Sequence, residues 1–371
     1  MIQDTIIPKK RDTWTLLDIL ALSFVKGMSS VAIRAAVDRT YSLEDCFSYP
    51  PTTTLQRLLS KDLFDDNIIT SLRAQAAEQL ELCAANNIRI ITLWDEDYPV
   101  LLRNINYPPA MLFVQGTLQH HDSIAIAIIG TRRCSQYGKY ITEKFAESFT
   151  NAGVVVVSGL ANGVDMAAHQ QTTKLRGKTY AVIASGIDCI SPYHAKKQAE
   201  QIVAHGGAII SEYRCGIKAM PAYFPQRNRI ISGISRAIVV IESGTKGGSL
   251  ITAQFAIDQE RELYAVPGNI NSEKSEGTNK LIQAQLAIPA LSPEQVLYDL
   301  GIQHSTPQLA IPEFSSPTEE RIYAALSIEQ LQADELADKL NININELLVS
   351  LLTLEFRGLI RQLPGKIFTK S

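Results

Sequence analysis

Residues 124–140 read IAIAIIGTRRCSQYGKY. The apolar run Ile124–Ile129 is far too short to span a membrane, and its length suits a strand buried on both faces. Gly130 closes the run, and a helix is expected to begin near Tyr137. A strand that ends in glycine and passes into a helix is the unit of a doubly wound α/β sheet, whose ligands sit beyond the carboxyl ends of the strands. Arg132 and Arg133 follow at once, and a guanidinium can fork onto phosphate. The loop is not GxGxxG, so a dinucleotide site is poorly supported. The plainer reading of either arginine is a solvated side chain on a tight turn.

The same texture extends outward on both sides. Strands are expected at Arg89–Leu93, Met111–Val114, Ile124–Ile129, Val154–Ser158, Thr179–Ala184, Ala208–Ser211, Ala237–Glu242 and Leu263–Val266. Helical stretches such as Gly138–Ala152 and Ala195–His205 separate them. The pattern predicts an extended Rossmann-like, doubly wound and mostly parallel sheet over residues 86–300. An extra strand and a proline-rich entry precede the first glycine loop. Residues 1–85 read as short helices, with the turn Val25–Ser30 arranged as in SAM or helix-hairpin-helix domains. Residues 301–317 are polar, proline-containing and aperiodic, and read as a linker. Residues 318–371 read as a small helical unit with a wing near Pro364-Gly365.

Three further glycine loops follow strands. VSGLANGVDMAAHQ (157–170) places Asp165 and His169 four apart on one helix face. A metal or general-base pair is conceivable there, but no third ligand stands at metal spacing, and a local hydrogen bond is the simpler role. MPAYFPQRNRIISGISRAIVVIE (220–242) sets Phe224 beside Arg227, Asn228 and Arg229, which suits stacked bases and held phosphates. Core packing for the ring and structural ion pairs for the arginines are the alternative. IESGTKGGSLITAQFAIDQ (241–259) carries Lys246, Gly247, Gly248 and Ser249 into a helix start, another anion cradle that is not a Walker A loop. A fifth turn, AVPGNINSEKSEGTNKLI (265–282), could rim the same cleft. Loops that all follow strands open on one face, and an extended polyanion would use the full set.

Composition bounds the classes. The formal net charge of 371 residues is −3, so any nucleic-acid site is a local patch. The five cysteines are scattered and form no CxxC, which argues against a disulfide framework or a zinc site. The start MIQDTIIPKKRDTW has no apolar signal segment, and a cytoplasmic, non-membrane protein without cofactor or metal is expected.

Taken in order, GTRRCSQYG, SGLANGVDMAAH, FPQRNRIISGIS, SGTKGGSLITAQFA and AVPGN followed by EGTNKLI resemble the DNA-processing protein A (DprA, or Smf) family across residues 88–300. The resemblance implies a non-enzymatic protein that binds single-stranded DNA, forms a homodimer and loads RecA in natural transformation and recombination. It implies a phosphate-contacting role for Arg132 and a ring near the strand at Phe224, with Arg227 and Asn228 in the same signature. The full set of candidate DNA-binding residues is Gly130, Arg132, Arg133, Ser158, Gly159, Lys218, Phe224, Arg227, Asn228, Arg229, Lys246, Gly247, Gly248 and Ser249. One departure stands out: Pro221 occupies the place of a lysine common in the family, and Lys218 could substitute. The flanking regions resemble the family's SAM-like and winged-helix domains. The expected recognition helix of the latter, Asn345–Phe356, has no Lys or Arg, so protein contact or regulation is the expected role. The competing class is a Rossmann-like nucleotide-processing hydrolase of the phosphoribohydrolase type, whose glycine turn is followed by glutamates. GTKGGSLITAQ has none.

Overall fold

The computed structural model describes residues 13–59, 67–118, 124–302, 314–327, 329–363 and 365–370. The chain divides into two units, Met1–His304 and Ser305–Ser371. Five helices open the first: α1 (Leu16–Leu22), α2 (Ser30–Arg39), α3 (Leu43–Ser48), α4 (Thr53–Leu59) and α5 (Ile68–Ala85). Thr15, Ser29 and Ser42 cap the first three, each side-chain oxygen accepting from the N–H three residues on. Gly27 turns the chain between α1 and α2 at φ +84°, a conformation that glycine adopts without strain. Trp14 donates Nε1–H to Thr40 O at 2.9 Å, closing the group. These helices share one apolar cluster with the sheet that follows.

That sheet is built from β1 (Ile88–Thr92), β2 (Met111–Gly116), β3 (Ala125–Ile129), β4 (Val155–Ser158), β5 (Thr179–Ile183), β6 (Ala208–Ser211), β7 (Ala237–Val240), β8 (Glu262–Ala265) and β9 (Ile288–Pro289). Between the strands lie α6 (Val100–Arg103), α7 (Gln136–Asn151), α8 (Val164–Lys174), α9 (Lys196–Ala204), α10 (Tyr223–Ile234), α11 (Gly248–Asp258) and α12 (Glu276–Gln283), with α13 (Pro293–Asp299) after β9. The order across the sheet is β1-β2-β6-β5-β4-β3-β7-β8-β9. From β6 to β9 every pair is parallel, and β1 and β2 are added antiparallel at one side. The extended, mostly parallel doubly wound sheet is therefore present, with β9 as an addition to the strands read from the sequence.

Alternate residues of β3 show how both faces are covered. Ile126 and Ile128 join the cluster of Phe145, Phe149 and Val296 under α7 and α13. Ala127 and Ile129 join the cluster of Ile230, Ile231 and Ala253 under α10 and α11. The order also fixes a switch point. Strands β4 to β6 lie on one side of β3, and β7 to β9 on the other. The loops after β3 and β7 diverge there and leave a crevice at the carboxyl edge. α10, which connects β6 to β7, must cross from one side to the other.

The second unit has α14 (Pro317–Leu326), α15 (Ala333–Leu340) and α16 (Ile344–Phe356), with β10 (Leu331–Gln332), β11 (Ile360–Leu363) and β12 (Ile367–Lys370). Its sheet has the order β10-β12-β11, and Ile322, Leu336, Leu347 and Leu354 centre its own core. This is a winged helix, with β11 and β12 as the wing; Pro364 and residues 303–313 of the expected linker lie outside the described residues. The outer face of α16 exposes Leu348, Val349, Leu352 and Phe356, an apolar surface unlike one that meets phosphates. Among the described residues, no helix is long and apolar enough to cross a membrane.

Candidate nucleic-acid interface

The switch-point crevice has a volume of about 410 Å³. Gly130, Arg132 and Arg133 reach it from the loop after β3, Phe224, Arg227 and Asn228 from α10, and Gly247, Gly248 and Ser249 from the start of α11. The two loops of the rim approach so closely that glycine is required. A Cβ on Gly163, whose φ is +83°, would lie 2.3 Å from Thr131 O.

Four helix starts meet this edge, yet they differ in what they offer an anion. α7 is already filled. Ser135 caps it by accepting from Gly138 N–H at 2.9 Å, and Ser135 donates both its N–H (2.8 Å) and its hydroxyl to the buried Glu242 carboxylate. Glu242 O also accepts from Thr131 N–H at 2.8 Å, so one residue at the end of β7 clasps both ends of the arginine loop. α8 carries its own anion too, since Asp165 in its first turn accepts from Ala161 N–H at 3.4 Å. α10 has no side-chain cap and brings Phe224 in its first turn. α11 likewise begins at Gly247–Gly248 with no capping side chain among the described residues. Gly247, Gly248 and Ser249 line the crevice there, with the Gly247 N–H bonded to Gly244 O and the Leu250 N–H to Gly247 O, each at 3.0 Å. The four starts are therefore not equivalent: α7 and α8 each carry a carboxylate of the same chain, whereas α10 and α11 have no side-chain cap, and α11 shares the crevice with two exposed arginines.

Phe224 is the ring of the site. The Arg132 guanidinium carbon lies 5.1 Å from its centroid and that of Arg227 lies 5.9 Å away, so the half-buried ring is shared by two cations. The two arginines play different parts. Arg132 is exposed. Arg227 is buried at 4 % exposure, and its Nη1 donates to Gly159 O at 2.6 Å and to Val182 O. Burial pushes its pKa down to about 10, against the pull of Asp165. Asp165 and Arg227 flank Gly159, where a Cβ would come within 2.7 Å of the carboxylate and 2.8 Å of the guanidinium. Burial also raises the Asp165 carboxyl above its ordinary range, with Arg227 opposing.

Five expected residues stand outside the crevice lining. Ser158 is fully buried and its hydroxyl donates to Ile128 O at 2.6 Å. Gly159 lies beneath, as the acceptor for Arg227. Arg229 leaves the opposite side of α10, where it pairs with Glu212 at 2.7 Å and donates to Tyr107 O at 3.0 Å. Lys218 is exposed in the segment between β6 and α10, where its charge acts on Cys189. Lys246 is exposed on the turn before α11. Ser249 lines the crevice, but its hydroxyl is spent on Ser243 Oγ at 2.9 Å. The fifth glycine turn buttresses the β7 loop through Gly277 N–H to Ser243 O at 2.8 Å.

His169 is sealed away from Asp165. Its Nδ1 lies 2.8 Å from Thr179 Oγ1, and that hydroxyl donates to Val156 O at 2.6 Å. The hydroxyl has one proton to give, so His169 Nδ1 is the donor and the buried Nε2 is bare. Burial, reinforced by the charge of Arg227, pushes the imidazole down to about 3. The unfolded chain takes up this proton near the ordinary value of about 6.5, well before the native chain does. The stabilising contribution is whole above that value and is lost as pH falls toward 3. At pH 5 the loss is about 2 kcal/mol. In urea titrations at pH 7 and pH 5, His169→Gln is expected to lose about that much less stability than the parent. Equal losses in both proteins would sink the assignment. The Asp165 contribution has the opposite sign and is common to both.

The fold and the crevice define a Rossmann-like protein with arginines and an aromatic ring gathered at its switch point. Residues 89–301 match the family described as DNA recombination-mediator protein A, and residues 305–366 match the DprA winged helix domain. The chain is 35% identical to "Protein Smf" of Escherichia coli K12 over 288 residues, 75% of this chain and 76% of that one. It belongs to the DprA/Smf family of DNA-processing proteins. The X-ray structure of DNA processing protein A from Streptococcus pneumoniae superposes with a TM-score of 0.63 at 28% identity, covering 77% of this chain and 98% of that one. DNA processing protein A of Helicobacter pylori, whose structure describes a single-stranded DNA binding mode, gives a TM-score of 0.52 at 28% identity, covering 57% and 95%.

Proposed function

We propose that the switch-point crevice holds single-stranded DNA, with phosphate between Arg132, Arg133 and the open start of α11, and a base against Phe224. The observation that carries this reading is the aromatic ring set between two guanidinium groups opposite an uncapped helix N-terminus. A lone phosphate needs no ring, and a dinucleotide would want a glycine fingerprint. Gly130, Asn228, Gly247 and Gly248 complete the wall. This reading needs no catalytic group, and His169 is turned into the core. Delivery of the strand to RecA in transformation and recombination follows the family's role. A homodimer is supported by the exposed apolar residues Leu286, Ile288, Leu291 and Tyr298 around the edge strand β9. A cytoplasmic location fits this work.

Fluorescence anisotropy with a labelled oligothymidylate tests the core of the proposal. Binding is expected to exceed that of duplex of equal length, and log K is expected to fall with log salt by about 0.7 per neutralised phosphate. Absence of binding at low salt, or a flat salt profile, would remove the reading.

A further inference from the structure

The switch-point crevice is not the largest concavity of the first unit. Between α8 and α9 runs an open groove of about 610 Å³. Lys174, Arg176 and Lys197 line it together with His194 and His205, and no carboxylate does. In a chain of formal net charge −3, that is a local excess of one sign. All three cations are exposed, and none makes an ion pair among the described residues. Protein surfaces ordinarily mix both signs, and a concave patch of one sign concentrates counter-charge.

The groove and the crevice both adjoin the loop that follows β4. Ala161 lines the crevice, and the next residue, Asn162, pairs through Oδ1 with His194 Nε2 at 2.7 Å. Met166 near the start of α8 and Lys174 at its end both line the groove. It therefore follows the length of that 11-residue helix, about 16 Å. Apart from the two imidazoles the lining has no aromatic ring, so no Phe, Tyr or Trp face is offered to a base. Cations and the amides of Gln170 and Gln201 offer donors to phosphate and sugar oxygens.

We propose that this groove is a second, phosphate-only segment of the DNA path. A single strand leaving the crevice crosses the Asn162–His194 bridge and lays its backbone along α8 and α9. The inference rests on the single-strand reading of the crevice. It divides the path into one segment that reads base and phosphate and one that only neutralises charge.

The test uses the full chain, with Lys174, Arg176 and Lys197 all replaced by alanine, and oligothymidylates of about 6 and about 20 nucleotides. The short oligonucleotide is expected to bind as to the parent. The long one is expected to lose roughly tenfold or more in affinity, and its salt slope to shrink by about 2. Arg132→Glu should abolish binding at both lengths. If the triple variant holds the long strand with unchanged affinity and slope while Arg132→Glu still abolishes binding, the groove proposal is overturned and the crevice reading stands. If Arg132→Glu leaves both lengths bound, the crevice reading itself falls, and the path that continues it falls too. Displacement of the long strand by polyglutamate as readily as by unlabelled DNA would also overturn the proposal, since the groove would then favour acidic chains in general.

Discussion

Replacing Arg227 by methionine is expected to lower the melting temperature of the first unit by on the order of 10 °C. The side chain keeps its length and apolar stem but loses the guanidinium. Two carbonyls, Gly159 O and Val182 O, then lose their donor beneath the crevice. Asp165, 8 % exposed, loses the positive charge that opposes its desolvation. Removing one member of a buried charged set costs about 3–5 kcal/mol, and a domain of this size shifts by about 2–4 °C per kcal/mol. Part of the loss is the stranded carboxylate, so adding Asp165→Asn should recover some of it. The double-mutant cycle would report that coupling. A melting temperature within about 2 °C of the parent would show that Arg227 is not the strut described. The variant also separates two roles that a DNA-binding assay alone would merge, because Arg227 lies under Phe224 and supports the ring as well as the loops.

The centre of the sheet was legible because strands such as β3, β4 and β6 are short apolar runs that end at glycine or serine, a pattern imposed by burial on both faces. β9 escaped because it spans two residues, Ile288–Pro289, and both are exposed. The glycine loops were legible as turns, but what fills each helix start was not. Glu242 and the Ser135 cap it holds are 107 residues apart in sequence, and only the parallel pairing of β3 with β7 brings them together. The division of labour between Arg227 and Arg229 was within reach. Arg227 stands three and four residues before the buried Ile230 and Ile231, on the inner stripe of α10, whereas Arg229 turns away toward Glu212. Without the helix phase, the two arginines read alike. Pro221 and Lys218 lie outside the crevice lining.

Charge reversal at the exposed partner of the ring has the opposite profile. Arg132→Glu is expected to leave the fold intact, because the side chain is exposed and its described contact is the face of Phe224. A surface substitution of this kind changes stability by about 0.5 kcal/mol or less. Its effect on DNA is large for two reasons. The forked donor to phosphate disappears, and a carboxylate replaces it opposite the open start of α11, competing for the N–H groups that the phosphate needs. A loss of roughly 100-fold or more is expected, equivalent to about 2.8 kcal/mol. Phe224→Ala removes one stacked base, about 1–3 kcal/mol, and should weaken binding by about 5- to 150-fold. The two differ in salt dependence. Arg132→Glu lowers the slope by about 0.7 per phosphate contact removed, whereas Phe224→Ala weakens binding with the slope preserved. Anisotropy titrations of both variants over a salt series would separate phosphate from base contact. A folded Arg132→Glu protein that binds within about threefold of the parent would move the DNA away from this crevice.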